Sequence, residues 1–335
     1  MFPYVKKKTI CPITIKEHFL RRNKVLIKRK AGGYGDIIMQ RMMFEDFHKV
    51  MPEINLTYAC PRTYLEFAKD HPYTETVAIE EINERTYGAS YDITTVCRVH
   101  ESKMGGKNTI HRSDIWANHC GVKLSNHNCF MECKEKEFYI EKLYEINTKK
   151  LPMVLVAAKS TKCMFGQSKS LTDTQIYEVC KKLCDKGFFV YTIHNEPLEI
   201  FTSINIPQFI KIEPESWKGL VAAADYVISI DTGTFHLAGA LKKPLVGVFS
   251  FTDGKVYGRH YDFELVQKHR DNGDWECGPC YLCIVCPKSK EMQKPCITEL
   301  KSDQIIQGFE NLIRKYPIAG LMSSTNLELI KEEII

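Results

Sequence analysis

The stretch VISIDTGTFHLAGALKKPLVGVFS, residues 227–250, carries the pattern that decides the fold. A short apolar run before Asp231 predicts a buried strand. An alanine- and leucine-rich segment after the Thr-Gly-Thr triplet predicts a helix, and PLVGVFS predicts the next strand. Strand, helix and strand in this order favour a parallel sheet, and ligands of such sheets bind at the carboxyl ends of the strands.

The same alternation runs through both halves of the chain. The predicted strands are VLIK (25–28), INLTYAC (54–60) and YDITTV (91–96), then MVLVAA (153–158), FFVYTIH (188–194), YVISI (226–230) and PLVGVFS (244–250). A charged, lysine-rich stretch at 141–152 separates the two groups. Because 335 residues exceed one usual core, we predict an α/β protein with two Rossmann-like domains. They comprise residues 1–148 and 149–317 and face a central cleft, with a tail at 318–335.

Helices are predicted between the strands. Apolar residues at helical spacing predict helices over 37–51 and 305–313, and YLEFAKDHP (64–72) is typical of a short helix closed by proline. Thr172 and Gln175 match a capping box at the start of a further helix.

The composition and net charge of the chain limit the type of protein and the partners that it can have. Charged residues make up 26% and apolar residues 44% of the chain, as in globular proteins. No run of 18 apolar residues occurs, and the start lacks the features of a secretory signal. We therefore expect a cytoplasmic protein with no transmembrane segment. The net charge of +5 permits a nucleotide, a phosphorylated glycan, a membrane surface or a nucleic acid as partner and selects none of them.

The loop AGGYGD at 31–36 follows the first predicted strand and precedes a helix. It lacks the third glycine of a dinucleotide fingerprint and the Gly-Lys-Ser/Thr of a P-loop. Its glycines, Gly32, Gly33 and Gly35, let a ligand approach the backbone closely. Asp36 either caps the following helix, which the spacing slightly favours, or takes a proton from a hydroxyl at the end of the strand.

The loop DTGT at 231–234 opens the second candidate site. Free N–H groups at a helix start, helped by two hydroxyls, bind anions, and Gly233 would let a phosphate come close. The alternative is an ordinary N-cap. His236 either contacts a ligand or packs in the core.

Three segments together resemble the heptosyltransferase family, glycosyltransferase family nine. Residues 227–250 resemble its segment D-T-G-x-x-H-L-A-A-A, and KVLIKRKAGGYGDIIM (24–39) resembles its N-terminal glycine loop. KSTKCMFGQSKSLT (159–172) is a looser match, because Leu171 stands where the family has tryptophan. The matches occur in the family's order and with similar separations, over roughly 24–313.

The resemblance implies a GT-B fold and metal-independent, inverting transfer from a nucleotide-diphosphate sugar. The first domain would bind the acceptor beside Gly32, Gly33 and Gly35, and the second would bind the donor. Asp36 matches the family's proposed general base. The donor-binding residues that the resemblance implies are Lys169, Glu196, Asp231, Thr232, Gly233, Thr234 and His236.

The acceptor is the open question. The family makes a lipopolysaccharide-core saccharide the default, while a protein side chain or a hydroxylated nucleic-acid base also fits a mildly basic cleft. Peripheral contact with a membrane is compatible with the same charge. A non-catalytic module that binds nucleotide sugars is the alternative from another functional class.

A cysteine cluster stands outside this pattern. The cysteines are Cys277, Cys280, Cys283, Cys286 and Cys296. Four thiolates at such spacing bind structural zinc or iron, so we predict a metal held by four of the five in the loop 277–296. Disulfides or reactive thiols are alternatives, and the cluster resembles in kind the iron-binding cysteine finger of autotransporter heptosyltransferases. A nucleic-acid binder would need a basic, aromatic-rich surface here, where only Lys288, Lys290 and Lys294 occur.

Overall fold

The computed structural model describes residues 23–160, 168–268, 279–280, 286, 289–290 and 294–318. Within these ranges each half of the chain forms one parallel β-sheet, as the strand–helix alternation predicts. The predicted α/β class with two Rossmann-like units is confirmed.

The first sheet has four parallel strands in the order β3-β2-β1-β4. Its strands are β1 (Lys24–Lys28), β2 (Asn55–Cys60), β3 (Glu75–Ala78) and β4 (Ala89–Asp92). The α-helices of this half are α1 (Tyr34–Gln40), α2 (Phe44–Val50), α3 (Leu65–Ala68), α4 (Val96–Met104), α5 (Arg112–His119) and α6 (Lys136–Ile146). Short 3₁₀ helices occupy Arg41–Met43, Arg62–Tyr64, Ile79–Glu81, Glu84–Thr86 and Gly105–Lys107.

The second sheet has six parallel strands in the order β10-β9-β8-β5-β6-β7. Its strands are β5 (Met153–Ala157), β6 (Phe189–His194), β7 (Gln208–Ile210), β8 (Tyr226–Ile230), β9 (Leu245–Phe249) and β10 (Glu264–Gln267). The helices are α7 (Asp173–Asp185), α8 (Pro214–Ala223), α9 (Gly233–Ala240), α10 (Gly254–Tyr257), α11 (Pro295–Thr298) and α12 (Ser302–Lys315), with a 3₁₀ helix at Glu199–Ser203. Counted from β5, the strands follow the Rossmann order 3-2-1-4-5-6 when the sheet is viewed from β7.

Burial explains why the central strands were predictable from the sequence. Every residue of β5, β8 and β9 is buried. A parallel sheet covered on both faces produces such continuous apolar runs. The predicted capping box also forms, since Thr172 Oγ1 accepts from the Gln175 N–H at 3.2 Å and α7 begins at the next residue.

Three strands were not predicted, for a physical reason. β3, β7 and β10 are three or four residues long, lie at sheet edges and are partly exposed. Such strands carry neither a long apolar run nor a full alternation.

The strand predicted at 91–96 is displaced, and the helix predicted at 37–51 is divided. The strand ends at Asp92, whose Oδ1 accepts hydrogen bonds from the N–H and the hydroxyl of Thr94 at 3.1 and 2.6 Å. This local turn leads into α4.

A 3₁₀ segment at Arg41–Met43 divides the helix predicted at 37–51. There the buried Arg41 guanidinium donates hydrogen bonds to main-chain carbonyls that include Ala68 O at 2.9 Å.

The two halves touch along one side of the cleft. Lys218 Nζ lies 2.5 Å from Glu66 Oε1, and the Trp217 ring packs edge-on to Tyr34 and Phe67 at 5.1 and 5.0 Å between centroids. These contacts join α8 of the second half to α1 and α3 of the first. No helix of the described ranges is long and apolar enough to cross a bilayer.

Candidate functional site

The predicted site segments follow the strands at which the sheet order reverses. β1 pairs with both β2 and β4, and β5 pairs with both β6 and β8. In open parallel sheets the ligand crevice lies at the carboxyl ends of the strands at such a reversal, which is between β1 and β4 in one half and between β5 and β8 in the other. The glycine loop follows β1. Lys169 follows β5, and the DTGT loop follows β8.

The two loops and the helices that follow them pack directly against each other, and two glycines lie at close contacts. A Cβ on Gly35 would lie 2.6 Å from Cδ2 of His236. A Cβ on Gly233 would lie 3.1 Å from Tyr34 Cβ in the glycine loop and 2.6 Å from the Trp217 ring of α8. His236 is only 3% exposed, and its Nε2 lies 3.8 Å from Asp231 Oδ1. Of the two interpretations of His236, packing beneath the loop is the one that this geometry favours.

Asp36 is a partly buried carboxylate held by two arginines. Arg29 Nη2 lies 2.6 Å from its Oδ2, and Arg112 Nη1 lies 2.5 Å from its Oδ1. Burial acts to raise the pKa of Asp36, but the guanidiniums of Arg112 and Arg29 outweigh it and lower the pKa to about 2. Asp36 is therefore ionised at neutral pH. It does not cap α1, which begins at Tyr34 with Gly33 in the N-cap position, so that interpretation was wrong.

Arg112 belongs to a wider network that sequence reasoning missed. Its guanidinium makes a bidentate pair with Glu101, with Nε to Oε1 and Nη2 to Oε2 both at 2.7 Å. The Tyr257 hydroxyl of the second half donates to the same Glu101 Oε1 at 2.7 Å, and the Tyr257 ring lies 4.9 Å below the guanidinium. Arg29 offers a signal in the sequence, since it directly follows β1. Arg112 and Glu101 offer none, because they are distant in the chain.

Asp231 and Lys169 form an ion pair in the second half. Lys169 Nζ lies 2.7 Å from Asp231 Oδ2 and 3.2 Å from its main-chain oxygen. The Thr252 hydroxyl donates to the same Oδ2 at 2.5 Å. Burial acts to raise the pKa of Asp231, yet the Lys169 ammonium, which hydrogen-bonds to it, and the nearby His236 hold that pKa far below its usual range.

The start of α9 carries no side-chain cap. Thr232 occupies the N-cap position but its side chain makes no cap hydrogen bond, so the ordinary N-cap interpretation was wrong. Its hydroxyl lies 3.3 Å from Ser229 Oγ, and Thr234 Oγ1 accepts from Trp217 Nε1 at 3.2 Å. The first N–H groups of α9 keep the anion-binding character of a helix start.

Glu196 lies apart from these contacts. It is exposed and follows β6, which neighbours β5 at the same edge of the sheet. Two residues earlier, His194 is buried, and both of its ring nitrogens lack a hydrogen-bond partner within the described part of the chain. Burial lowers the pKa of His194 to about 4. Sequence reasoning did not single this residue out.

The cysteine cluster is described only in part. Cys277 and Cys283 lie outside the described residues, while Cys280, Cys286 and Cys296 are half-buried. The Cys280 N–H donates to Phe251 O at 3.0 Å, and Lys169 Nζ lies 6.0 Å from the centroid of the Phe251 ring. The cluster therefore begins beside the second crevice, and its metal and ligand set stay a prediction.

Comparison with known proteins agrees with the geometry. Residues 145–270 match the family model of glycosyltransferase family 9 (heptosyltransferase). A search of curated proteins finds no match. The predicted resemblance to heptosyltransferases is confirmed, and the match supports a glycosyltransferase.

Solved structures share the fold at low sequence identity. Escherichia coli ADP-heptose lps heptosyltransferase II has a TM-score of 0.67 and 13% identity, covering 88% of this chain and 100% of that one. The iron-containing dodecameric glycosyltransferase TibC from enterotoxigenic E. coli H10407 has a TM-score of 0.65 and 16% identity, covering 88% and 77%. E. coli heptosyltransferase WaaC with ADP-2-deoxy-2-fluoro heptose has a TM-score of 0.53 and 14% sequence identity, and the match covers 86% of this chain and 99% of that one. The predicted GT-B fold is thereby confirmed.

Proposed function

Proceeding from a glycosyltransferase family 9 match within a GT-B fold, we propose that this protein is an inverting glycosyltransferase. It transfers a sugar, heptose or another, from a nucleotide-diphosphate sugar to a hydroxyl acceptor. One observation carries the proposal. The contact of Gly35 with His236 holds the loop of Asp36 against the start of α9. An ionised carboxylate and a helix start without a side-chain cap are thereby brought to the same place between the halves.

The donor diphosphate binds at the start of α9 in this proposal. The N–H groups after Thr232 and the hydroxyls of Thr232 and Thr234 offer hydrogen bonds to its oxygens. Lys169 Nζ, now 2.7 Å from Asp231, adds a positive charge beside them. Donors fixed in this way stabilise a leaving diphosphate, and losing one typically costs about 3 kcal/mol of transition-state stabilisation.

Asp36 accepts the proton of the acceptor hydroxyl. The hydroxyl oxygen attacks the anomeric carbon from the face opposite the diphosphate and bonds to it. The carbon–oxygen bond to the diphosphate breaks, and its electron pair leaves with the diphosphate. The hydroxyl proton passes to Asp36, and the anomeric configuration inverts.

The low pKa of Asp36 sets the timing of this proton transfer. A carboxylate of pKa about 2 is too weak to deprotonate a free alcohol beforehand. The oxygen becomes acidic as its new bond forms, so the proton transfers late. Arg29 and Arg112 keep the carboxylate ionised and positioned for that moment.

The acceptor binds beside Gly32, Gly33 and Gly35, by default as a saccharide of the lipopolysaccharide-core type. A protein side chain or a hydroxylated nucleic-acid base is the alternative. The reaction itself uses no metal. Four of the five cysteines at 277–296 hold a structural zinc or iron, and the structurally similar TibC is an iron-containing glycosyltransferase. We place the enzyme in the cytoplasm, with peripheral contact to a membrane where the acceptor is a lipid-linked glycan.

A panel of ADP-, UDP- and GDP-sugars tests the proposal. ADP-heptose comes first, because the structurally similar E. coli heptosyltransferase II is an ADP-heptose enzyme. Thermal shift identifies the donor, and mass spectrometry of candidate acceptors then detects transfer. We expect a stabilising donor and a product of inverted configuration. A retained configuration would overturn the mechanism.

A non-catalytic module that binds nucleotide sugars is the second candidate. Both oxygens of Asp36 are already engaged by arginines, and this observation favours a carboxylate with a structural role. A donor that binds tightly but is neither transferred nor hydrolysed with any acceptor would select this candidate.

A further inference from the structure

A cluster of histidines and one aspartate joins the two halves behind the Asp36 network. His111 precedes α5, and Asp114 lies in the first turn of the same helix. His260 comes from the second half, just after α10. Ligand atoms of these three residues all lie within 4.8 Å of one another. His260 Nε2 is 3.7 Å from Asp114 Oδ2, and the rings of His111 and His260 lie 4.6 Å apart.

One atom of this cluster is unsatisfied. Nε2 of His260 is buried and has no hydrogen-bond partner within the described residues, since 3.7 Å to Asp114 exceeds a hydrogen bond. A buried polar atom left unpaired costs free energy, about 1–3 kcal/mol in typical proteins. A cation between this nitrogen and the Asp114 carboxylate would satisfy both.

The surroundings prepare these groups as ligands. His127 Nε2 lies 3.2 Å from the other oxygen, Asp114 Oδ1, which leaves Oδ2 facing His260. The His127 ring also stacks on His260 at 3.3 Å and thereby fixes its orientation.

His111 can turn a lone pair towards the same point. Its Nδ1 accepts a hydrogen bond from the Ser113 N–H at 3.2 Å, which caps α5, and lies 2.7 Å from Ser113 Oγ. A hydrogen moved to Nδ1 would be donated to Ser113 Oγ in place of the N–H contact, which leaves Nε2 as the ligand atom. Nε2 lies 3.3 Å from the carbonyl oxygen of Tyr257. Without a metal, Nε2 carries the hydrogen and donates to this carbonyl, so metal binding changes the tautomer of His111.

We propose that His111, Asp114 and His260 bind one divalent transition-metal ion, with zinc as the reference. Two imidazoles and a carboxylate match the nitrogen and oxygen donors that zinc takes, and water or a fourth ligand completes the tetrahedron. Zinc–ligand bonds of about 2.0–2.2 Å place the ligand atoms of a tetrahedral site about 3.5 Å from one another. The ligand atoms, which now lie within 4.8 Å of one another, therefore approach by roughly an ångström when the metal binds.

The position gives this metal a structural consequence. Arg112 lies between His111 and Asp114 on α5 and binds Asp36. A metal that ties α5 to His260 therefore holds Arg112 and the second half in one arrangement across the cleft. The site does not depend on the proposed glycosyl transfer, and it is separate from the cysteine cluster.

Cobalt titration of the full-length, chelator-treated protein tests the site. Cobalt bound by imidazole and carboxylate shows ligand-field absorption without the thiolate charge-transfer band that a cysteine site produces. We expect one cobalt ion of the first kind in the wild-type protein, displaced by zinc. Bound cobalt that shows only thiolate character, or none bound beyond the cysteine site, would overturn the proposal.

Variants assign the ligands. His260→Gln and Asp114→Asn should weaken zinc binding at least tenfold and abolish the rise in melting temperature on adding zinc. His119→Gln, an exposed histidine at the end of α5, is the matched control and should bind like wild type. Cys280→Ser with Cys286→Ser should leave this ion in place. Equal zinc affinity in His260→Gln and wild type would contradict the site. If a variant fails to fold, the cobalt spectrum of the wild-type protein still shows whether the imidazole and carboxylate site exists.

Discussion

The two halves each place one aspartate near the contact between them, and the two aspartates are held differently. Asp36 lies in the first turn of the helix after β1 and is partly buried, whereas Asp231 directly follows β8 and is buried. Neighbouring cations hold the pKa of each carboxyl below its usual range. Asp36 is paired with two guanidiniums, and its side chain is 13% exposed beside the cleft. Asp231 is 4% exposed and binds an ammonium and a hydroxyl, with an imidazole nitrogen 3.8 Å away. In the proposed reaction the first carboxylate meets the acceptor, whereas the second binds groups of its own half.

Replacing Asp36 by asparagine gives the largest expected effect on activity. The variant keeps the shape of the side chain but loses the proton acceptor, so turnover should fall by about 10²–10⁴ while donor affinity stays within a few-fold. Asp185→Asn, exposed at the end of α7, is the control. Steady-state kinetics and donor titration measure the two effects, with circular dichroism to check folding. Normal turnover in the variant would remove Asp36 from the role of base.

Replacing Asp231 by asparagine should act on stability instead. It leaves the Lys169 ammonium in its partly buried position without its carboxylate, which we expect to cost about 3 kcal/mol of unfolding free energy. The control is Asp173→Asn, which breaks the more exposed pair with Lys159 and should cost less than about 1 kcal/mol. Urea unfolding compares the two. Equal losses would show that burial does not distinguish these pairs.

Lowering the pH should remove the contribution of the Asp36 carboxylate to the free energy of unfolding. Its folded pKa of about 2 lies below the ordinary 3.8, so its stabilisation is present above the ordinary value and is lost as the pH falls from there through about 2. The difference corresponds to about 2.5 kcal/mol. Urea unfolding of wild type and Asp36→Asn should therefore converge by roughly this amount between pH 6 and pH 2. A constant difference would contradict the low pKa.

A pair of glycine substitutions gives the smallest expected effect. Gly35→Ala places a methyl group 2.6 Å from the His236 ring and should cost about 1–3 kcal/mol by overpacking the contact between the halves. Gly33→Ala is the matched control two residues away, since nothing lies within 4 Å of its Cβ and its φ is −97°. Thermal unfolding measures both. Equal melting temperatures would mean that the two loops do not pack as closely as the structure has them.

The fold was largely predictable from sequence because its central strands are buried on both faces. YVISI was predicted residue for residue, and the Thr172–Gln175 capping box forms as its spacing indicates. The partly exposed edge strands at 75–78, 208–210 and 264–267 were missed, because an edge position imposes little pattern on three or four residues. The strand predicted at 91–96 was displaced because the turn at Asp92 and Thr94 depends on side-chain hydrogen bonds, not on hydrophobicity.

The sequence indicated the loops of the candidate site but not the side chains that pair with their charged residues. Glycines and hydroxyls at strand ends indicated Asp36 and the DTGT loop, and the family resemblance indicated Lys169. The arginine at 112 lies 76 residues from the aspartate it binds, and no local spacing connects them.

The sequence by itself determined the strand–loop–helix units, since apolar periodicity and turn residues act over a few neighbouring positions. Only the tertiary structure decided which groups meet at the cleft. It pairs Asp36 with Arg112, packs Gly35 against His236 and brings His260 to His111 and Asp114. These contacts depend on how two sheets, built from separate halves of the chain, lie against each other. That arrangement is the sum of many packing contacts, none of which leaves a mark in the local sequence.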